Sequence, residues 1–188
     1  MGLMIHSVGE LPAGVRRGYY VYLLDYGWEE PASEVMYGNF SQMASAASRQ
    51  DAVVLRGVVG AHFADEVLSW HHINGRDAEG LLPAILITTR HPTEFREHQW
   101  GRRELADRLL LIPLRSVCKS PSDVIPLIQG MFRDIREKKT LSHFEVAEQM
   151  TEGRGGAVLD ALILKPNFVG LGLDVNRIID FFRHRRNS

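Results

Sequence analysis

Cysteine is nearly missing from this chain: Cys118 is the only one among 188 residues. No internal disulfide is therefore open to it, and a single thiol suits a reducing compartment, so a cytoplasmic location is expected. A basic excess is missing too. Lys and Arg number 22 against 23 Asp and Glu, for a net charge of −1, which removes the attraction that drives non-specific nucleic-acid binding. The one local cluster, Arg183-His184-Arg185-Arg186, follows a predicted helix, where cations offset the negative end of the dipole. No window holds ~18 uninterrupted apolar residues, so no membrane span is expected. The opening MGLMIHSVGELPAG has too short an apolar stretch and no basic leader for a signal peptide. His6 also stands where a myristoylation pattern needs Ser or Thr.

Motifs with a fixed chemistry are missing as well. Gly57-Val58-Val59-Gly60 is followed by no Gly-Lys-Ser/Thr, and no dinucleotide-binding glycine pattern occurs. There is no GxSxG elbow, no HExxH, no paired-cysteine ligand set and no calcium-type aspartate spacing. His71 and His72 are neighbours on a predicted helix and point about 100° apart, too far to share a metal. No metal is expected, and the cofactor is left unknown.

What is present is ordinary for a globular protein: 45% hydrophobic and 24% charged residues, enough for one sizeable core. Strand-like runs alternate with helix-like runs. The first strand is predicted over 19–26, followed by a helix whose face is Met36, Phe40, Met43 and Ala47. The second covers 52–55, followed by a helix with the stripe Phe63, Val67 and Trp70. The third covers 84–89. A polar, Arg-rich stretch over 93–107 reads as a loop with a short helix. The fourth strand covers 109–114. Ser120-Pro121-Ser122-Asp123 opens a helix with the stripe Val124, Ile128, Met131 and Ile135. Ser142 and Glu145 form a capping box, with Leu141 stapled to Val146. A fifth strand is predicted over 162–165, and Asp174 caps a last helix carrying Ile178, Ile179, Phe181 and Phe182. Such alternation predicts an α/β fold with an open, mostly parallel sheet of about five strands and helices on both faces. Residues 1–17 read as an N-terminal extension and 18–188 as a single α/β domain. The competing architecture is thioredoxin-like, in which Leu82-Pro83 ahead of the third predicted strand would be a cis-proline. Without paired cysteines that fold implies no redox activity.

In open α/β sheets, ligands bind beyond the carboxyl ends of the strands, where helix N-termini favour anions. On a parallel sheet the four strands deliver a defined set of side chains to that rim. They are Asp25 with Glu29 and Glu30; Arg56, Gly57, Gly60 and His62; Thr88, Thr89, Arg90 and His91; and Arg115 with Cys118. Arg56, Arg90 and Arg115 are candidates to fork onto a phosphate or carboxylate. Gly57 and Gly60 would let backbone approach it, and Asp25, Thr88 and Thr89 would complete the ligand-binding set. His62 or His91 would handle protons near neutral pH. Plainer readings stand beside these. Arg90 pairs with a nearby acid, His91 fills the place before Pro92, Gly57 to Gly60 is a turn, and the acids around Pro31 offset a helix dipole. Cys118 is a packing residue.

Two functions remain. The first is a small-molecule or nucleotide-binding domain for an anionic ligand, with an enzyme acting on that ligand as one form of it. The second is a non-catalytic regulatory module in which residues 95–103, with Trp100 and Arg102, contact a protein partner.

Overall fold

A computed structural model describes residues 1–26, 30–58, 62–71, 73, 81–97 and 108–152. These hold five strands: β1 (Gly2–Ile5), β2 (Tyr19–Leu24), β3 (Ala52–Gly57), β4 (Ala84–Thr88) and β5 (Leu109–Pro113). Between and after them run helices α1 (Pro31–Gly38), α2 (Phe40–Ser48), α3 (Phe63–Trp70), α4 (Pro92–Glu97), α5 (Leu114–Val117), α6 (Val124–Arg136) and α7 (Glu145–Glu152). The expected fifth strand at 162–165 and the last helix lie outside the described residues. So do Trp100 and Arg102.

The protein is α/β with a five-stranded mixed sheet in the order β1-β3-β2-β4-β5. This corrects the expectation of a mostly parallel sheet. β1 and β2 each pair with β3 in parallel, but β4 runs antiparallel to both β2 and β5. All five residues of β4 are buried. A strand buried on both faces is an unbroken apolar run that reads the same in either direction, so periodicity carries no sign of its orientation. Direction is set by where the preceding connection delivers the chain. Here that is beside the end of β2, since Ala84 lies opposite Leu24. The Leu82–Pro83 peptide is cis.

The second difference lies at the start. Gly2–Ile5, inside the stretch expected as an extension, forms the edge strand of the sheet. Ser7 anchors the turn that follows. It accepts from the Gly9 N–H at 3.1 Å and donates to Glu66 at 2.7 Å, tying this end to α3.

Alternation along β2 divides the apolar core in two. Tyr19, Val21 and Leu23 join Met36, Met43 and the α6 residues Val124, Ile128 and Met131. Tyr20, Tyr22 and Leu24 join Phe63, Val67 and Leu68 of α3 and Phe95 of α4, with Tyr26 packed against them. The expected single helix over 31–47 is two. Gly38 is a poor helix former, and the Asn39 side chain donates to the Val35 carbonyl at 2.8 Å, competing with the helical bond there. The apolar face survives the break, since Met36, Met43 and Ala47 are all buried.

The Glu145 N–H at the start of α7 is held by a residue the sequence did not mark. Asp134 of α6 is fully buried, accepts from the Glu145 N–H at 2.8 Å and pairs with Lys139 at 2.7 Å. One buried carboxylate thus caps α7 from the neighbouring helix.

Candidate functional site

Because β4 is reversed, the residues nominated for one rim fall on two. The carboxyl ends of β2, β3 and β5 share the first rim with the start of β4. It carries Asp25, Arg56, Gly57, His62 and Arg115. The last residues of β4 lie beside the starts of β2 and β5, since Thr88 pairs with Tyr20 and with Leu109. Thr88, Thr89, Arg90 and His91 therefore sit at the amino rim. Arg56 aligns with Leu23, three residues along β2 from the partner of Thr88, about 10 Å of strand. Gly60 lies outside the described residues.

At the amino rim each nominated residue is tied to its neighbours. The Thr88 hydroxyl accepts from the Arg90 N–H at 3.1 Å, and the Thr89 N–H donates to the Arg108 carbonyl at 3.1 Å. Arg90 pairs with Glu94 one helical turn on, at 3.6 Å. His91 is 5% exposed, with Nδ1 2.8 Å from the Thr93 hydroxyl and its ring edge-on to Tyr20. Burial holds its imidazole below the ordinary histidine pKa, with the Pro12 backbone opposing. These are the plainer readings of Arg90 and His91, although the His91 Nε2 is itself buried with no hydrogen-bond partner.

The carboxyl rim is different. Arg56, partly buried, lays its guanidinium 5.5 Å from the centre of the Tyr37 ring and 5.0 Å from that of Phe40. Its Nε is buried without a hydrogen-bond partner. Cation–π contact steadies the charge on its aromatic faces, but an unpaired buried N–H on a cation remains costly. Tyr37 is held neutral: burial pushes its phenol up to about 12, Asp25 adds to the rise and Arg56 opposes it. Asp25, Tyr37 and Arg56 thus share one local field, and Tyr37 keeps its O–H as a donor.

Arg115 belongs to the same rim but not to the same spot. Its strand is three places from β3 in the sheet order, about 14 Å at the usual strand spacing. It makes a two-point ion pair with Glu30 at the start of α1, with Nε donating to Oε2 at 3.0 Å. Gly57 serves packing: a Cβ there would stand 2.5 Å from the Phe63 Cβ, so only glycine lets α3 close against the end of β3. His62 is 94% exposed at the head of α3, 3.7 Å from Asp65. Cys118 follows α5, and burial, with Asp123, pushes its thiol up to about 11, away from nucleophilic use. Among the described residues no cluster of three or more His, Cys, Asp or Glu could hold a metal ion. None of their helices is long and apolar enough to cross a membrane.

Sequence reasoning missed Tyr37 and undervalued Phe40. Phe40 was placed on the core stripe of the helix, and Tyr37 is its neighbour at i−3. The available signal was that two aromatics three apart face the same way, at the level where β3 ends in an arginine.

Compared with protein-family models, with curated proteins and with solved structures, the chain matches none.

Proposed function

We propose that this protein is a binding domain for a small anionic molecule, received at the carboxyl rim by Arg56 against Tyr37 and Phe40. The observation that carries the reading is the buried Arg56 Nε with no partner. Buried polar groups are normally satisfied, and a carboxylate or phosphate oxygen is the natural complement of a guanidinium N–H. The two rings favour a planar, carboxylate-bearing molecule, because the aromatic faces that flank the guanidinium can also stack against such a ligand.

The reading favours binding over turnover. His62 is solvent-exposed, His91 is at the other end of the sheet, and Arg115 is engaged by Glu30. An acid–base pair within hydrogen-bond reach of the ligand is the first requirement of proton-transfer catalysis; His91 is at the opposite rim, and the His62 side chain is almost fully exposed.

The architecture belongs to the same proposal. The strand order with β4 reversed supports the thioredoxin-like arrangement over the doubly wound one. The division of the core between the two faces of β2 supports helices on both faces. With one cysteine in the chain, dithiol exchange is not its chemistry, and the lone thiol suits the cytoplasm.

The test is a thermal-shift titration with inorganic phosphate and with small mono- and dicarboxylates, on the wild type and on Arg56→Met. Methionine keeps an apolar stem on the two rings and removes the charge. A ligand at 100 times its Kd stabilises the folded state by about 2.7 kcal/mol, a rise of roughly 5–10 °C for a chain of this length. The wild type should show such a rise with at least one anion and the variant should not. Equal shifts in both chains would refute the assignment.

A further inference from the structure

Away from the rim, α5, α6 and α7 enclose a groove of about 210 Å³. Val117, Leu127, Met131 and Val146 supply its apolar lining, and Gln149 and Glu145 of α7 its edge. Leu127, Gly130 and Met131 share one face of α6 at helical spacing. Gly130 is the informative one. In a helix interior glycine costs about 1 kcal/mol relative to alanine. Yet among the described residues a Cβ at Gly130 would meet nothing closer than 3.5 Å, the Glu145 carboxylate. Packing inside the described fold does not require a glycine here. A surface that something else approaches closely does.

The chain itself supplies a fitting occupant. α7 forms one wall of the groove and runs to Glu152, and residues 153–188 continue from it. Within them Val175, Ile178, Ile179 and Phe182 recur at i, i+3, i+4 and i+7 behind Asp174, a spacing that predicts one apolar helical face. Arg183, Arg185 and Arg186 follow, and Asp123 and Glu145, the latter paired with Arg133, line the groove. A tethered segment also meets its seat at an effective concentration in the millimolar range, which a free partner must outcompete. We infer that the groove between α6 and α7 is the seat of this chain's own segment 174–186, with the apolar face inward and the arginines toward the acidic edge.

Cys118 lines the groove and is the only thiol in the chain, so it reports on the occupant. Native-state maleimide labelling is compared between the full-length wild type and the full-length Ile178→Asp/Phe182→Asp variant. One pH is used for both, so that the raised thiol pKa cancels. The segment's departure should speed labelling tenfold or more. A second variant works from the other side: Gly130→Leu fills the seat without touching the segment. Trypsin should then cut at Arg183, Arg185 and Arg186 under conditions where the wild type resists. Equal labelling rates in wild type and double variant overturn the inference. So does protection of Cys118 that appears only as protein concentration rises, which assigns the groove to a second copy.

Discussion

The two ends of the sheet are built from similar residues and do different things with them. At the amino end, threonine and arginine are engaged locally: Thr88 holds the turn to Arg90 and Arg90 pairs with Glu94, while His91 rests on Thr93 and Tyr20 with its Nε2 buried and without a hydrogen-bond partner. At the carboxyl end, Arg56 lies on two aromatic rings with a buried N–H left over, while the Arg115 charge is met by Glu30. An arginine therefore says little by itself. Whether it marks a ligand site depends on what the fold puts within its reach, and here that differs between two ends only a few residues of strand apart.

The sharpest way to break this contrast is through the glycines at the two ends. At Gly57 an added Cβ collides with the Phe63 Cβ at 2.5 Å, and the helix behind it must move. At Gly18 the closest atom is the tip of the Asp51 side chain, at 2.7 Å, which can swing aside. Gly57→Ala should cost about 1–3 kcal/mol, the usual range for overpacking. Gly18→Ala should cost less than about 1 kcal/mol, near the range of tolerated surface changes. Urea denaturation of the two variants measures both. Equal costs would mean that the seat of Phe63 at Gly57 is no more tightly fitted than the turn at Gly18.

Less of the stability rests on His91, but its effect depends on pH. Its folded-state pKa lies below the ordinary 6.5 because of burial. The unfolded chain therefore takes up the proton first as pH falls. Stability is full above about 6.5 and declines below it, levelling off only under the folded pKa. His91→Gln should flatten part of that decline between pH 7 and 5 in a series of melting curves. An unchanged slope would show that the ring is solvated and the amino rim open.

The smallest expected effects are single charges. Glu30→Gln removes a negative charge from the rim that receives the anion and should tighten anion binding a few-fold. Arg90→Met, at the other end, should leave it unchanged. Because exposed ion pairs contribute only about 0–1 kcal/mol, neither should shift the melting temperature of the free protein by more than a few degrees.

The sequence carried the element positions well where periodicity or a buried run set them. β2 through β5 fall within a residue or two of their expected places, and the Met36, Met43, Ala47 face is buried as the spacing implies. Strand direction was not legible, because a buried run such as Ala84 to Ile87 in β4 reads the same both ways. Reading β4 as parallel carried Thr88 through His91 to the wrong end. β1 escaped notice because four residues ahead of a Pro- and Gly-containing stretch give little pattern. Of the site, Arg56, Asp25 and Arg115 were legible as strand-end polar residues. The platform of Tyr37 and Phe40 was not, since aromatics on a helical stripe look the same whether they face the core or a guanidinium. Asp134 was hidden for the opposite reason: a charged residue in a helix reads as surface, and here it is buried to cap α7.

The direct measurement is the side-chain Nε–H resonance of each arginine, followed by NMR as phosphate or a small dicarboxylate is added to the full-length protein. Arg56 should move along a saturable curve while Arg90 stays in place. If Arg90 moves and Arg56 does not, the receiving end of the sheet has been assigned to the wrong side.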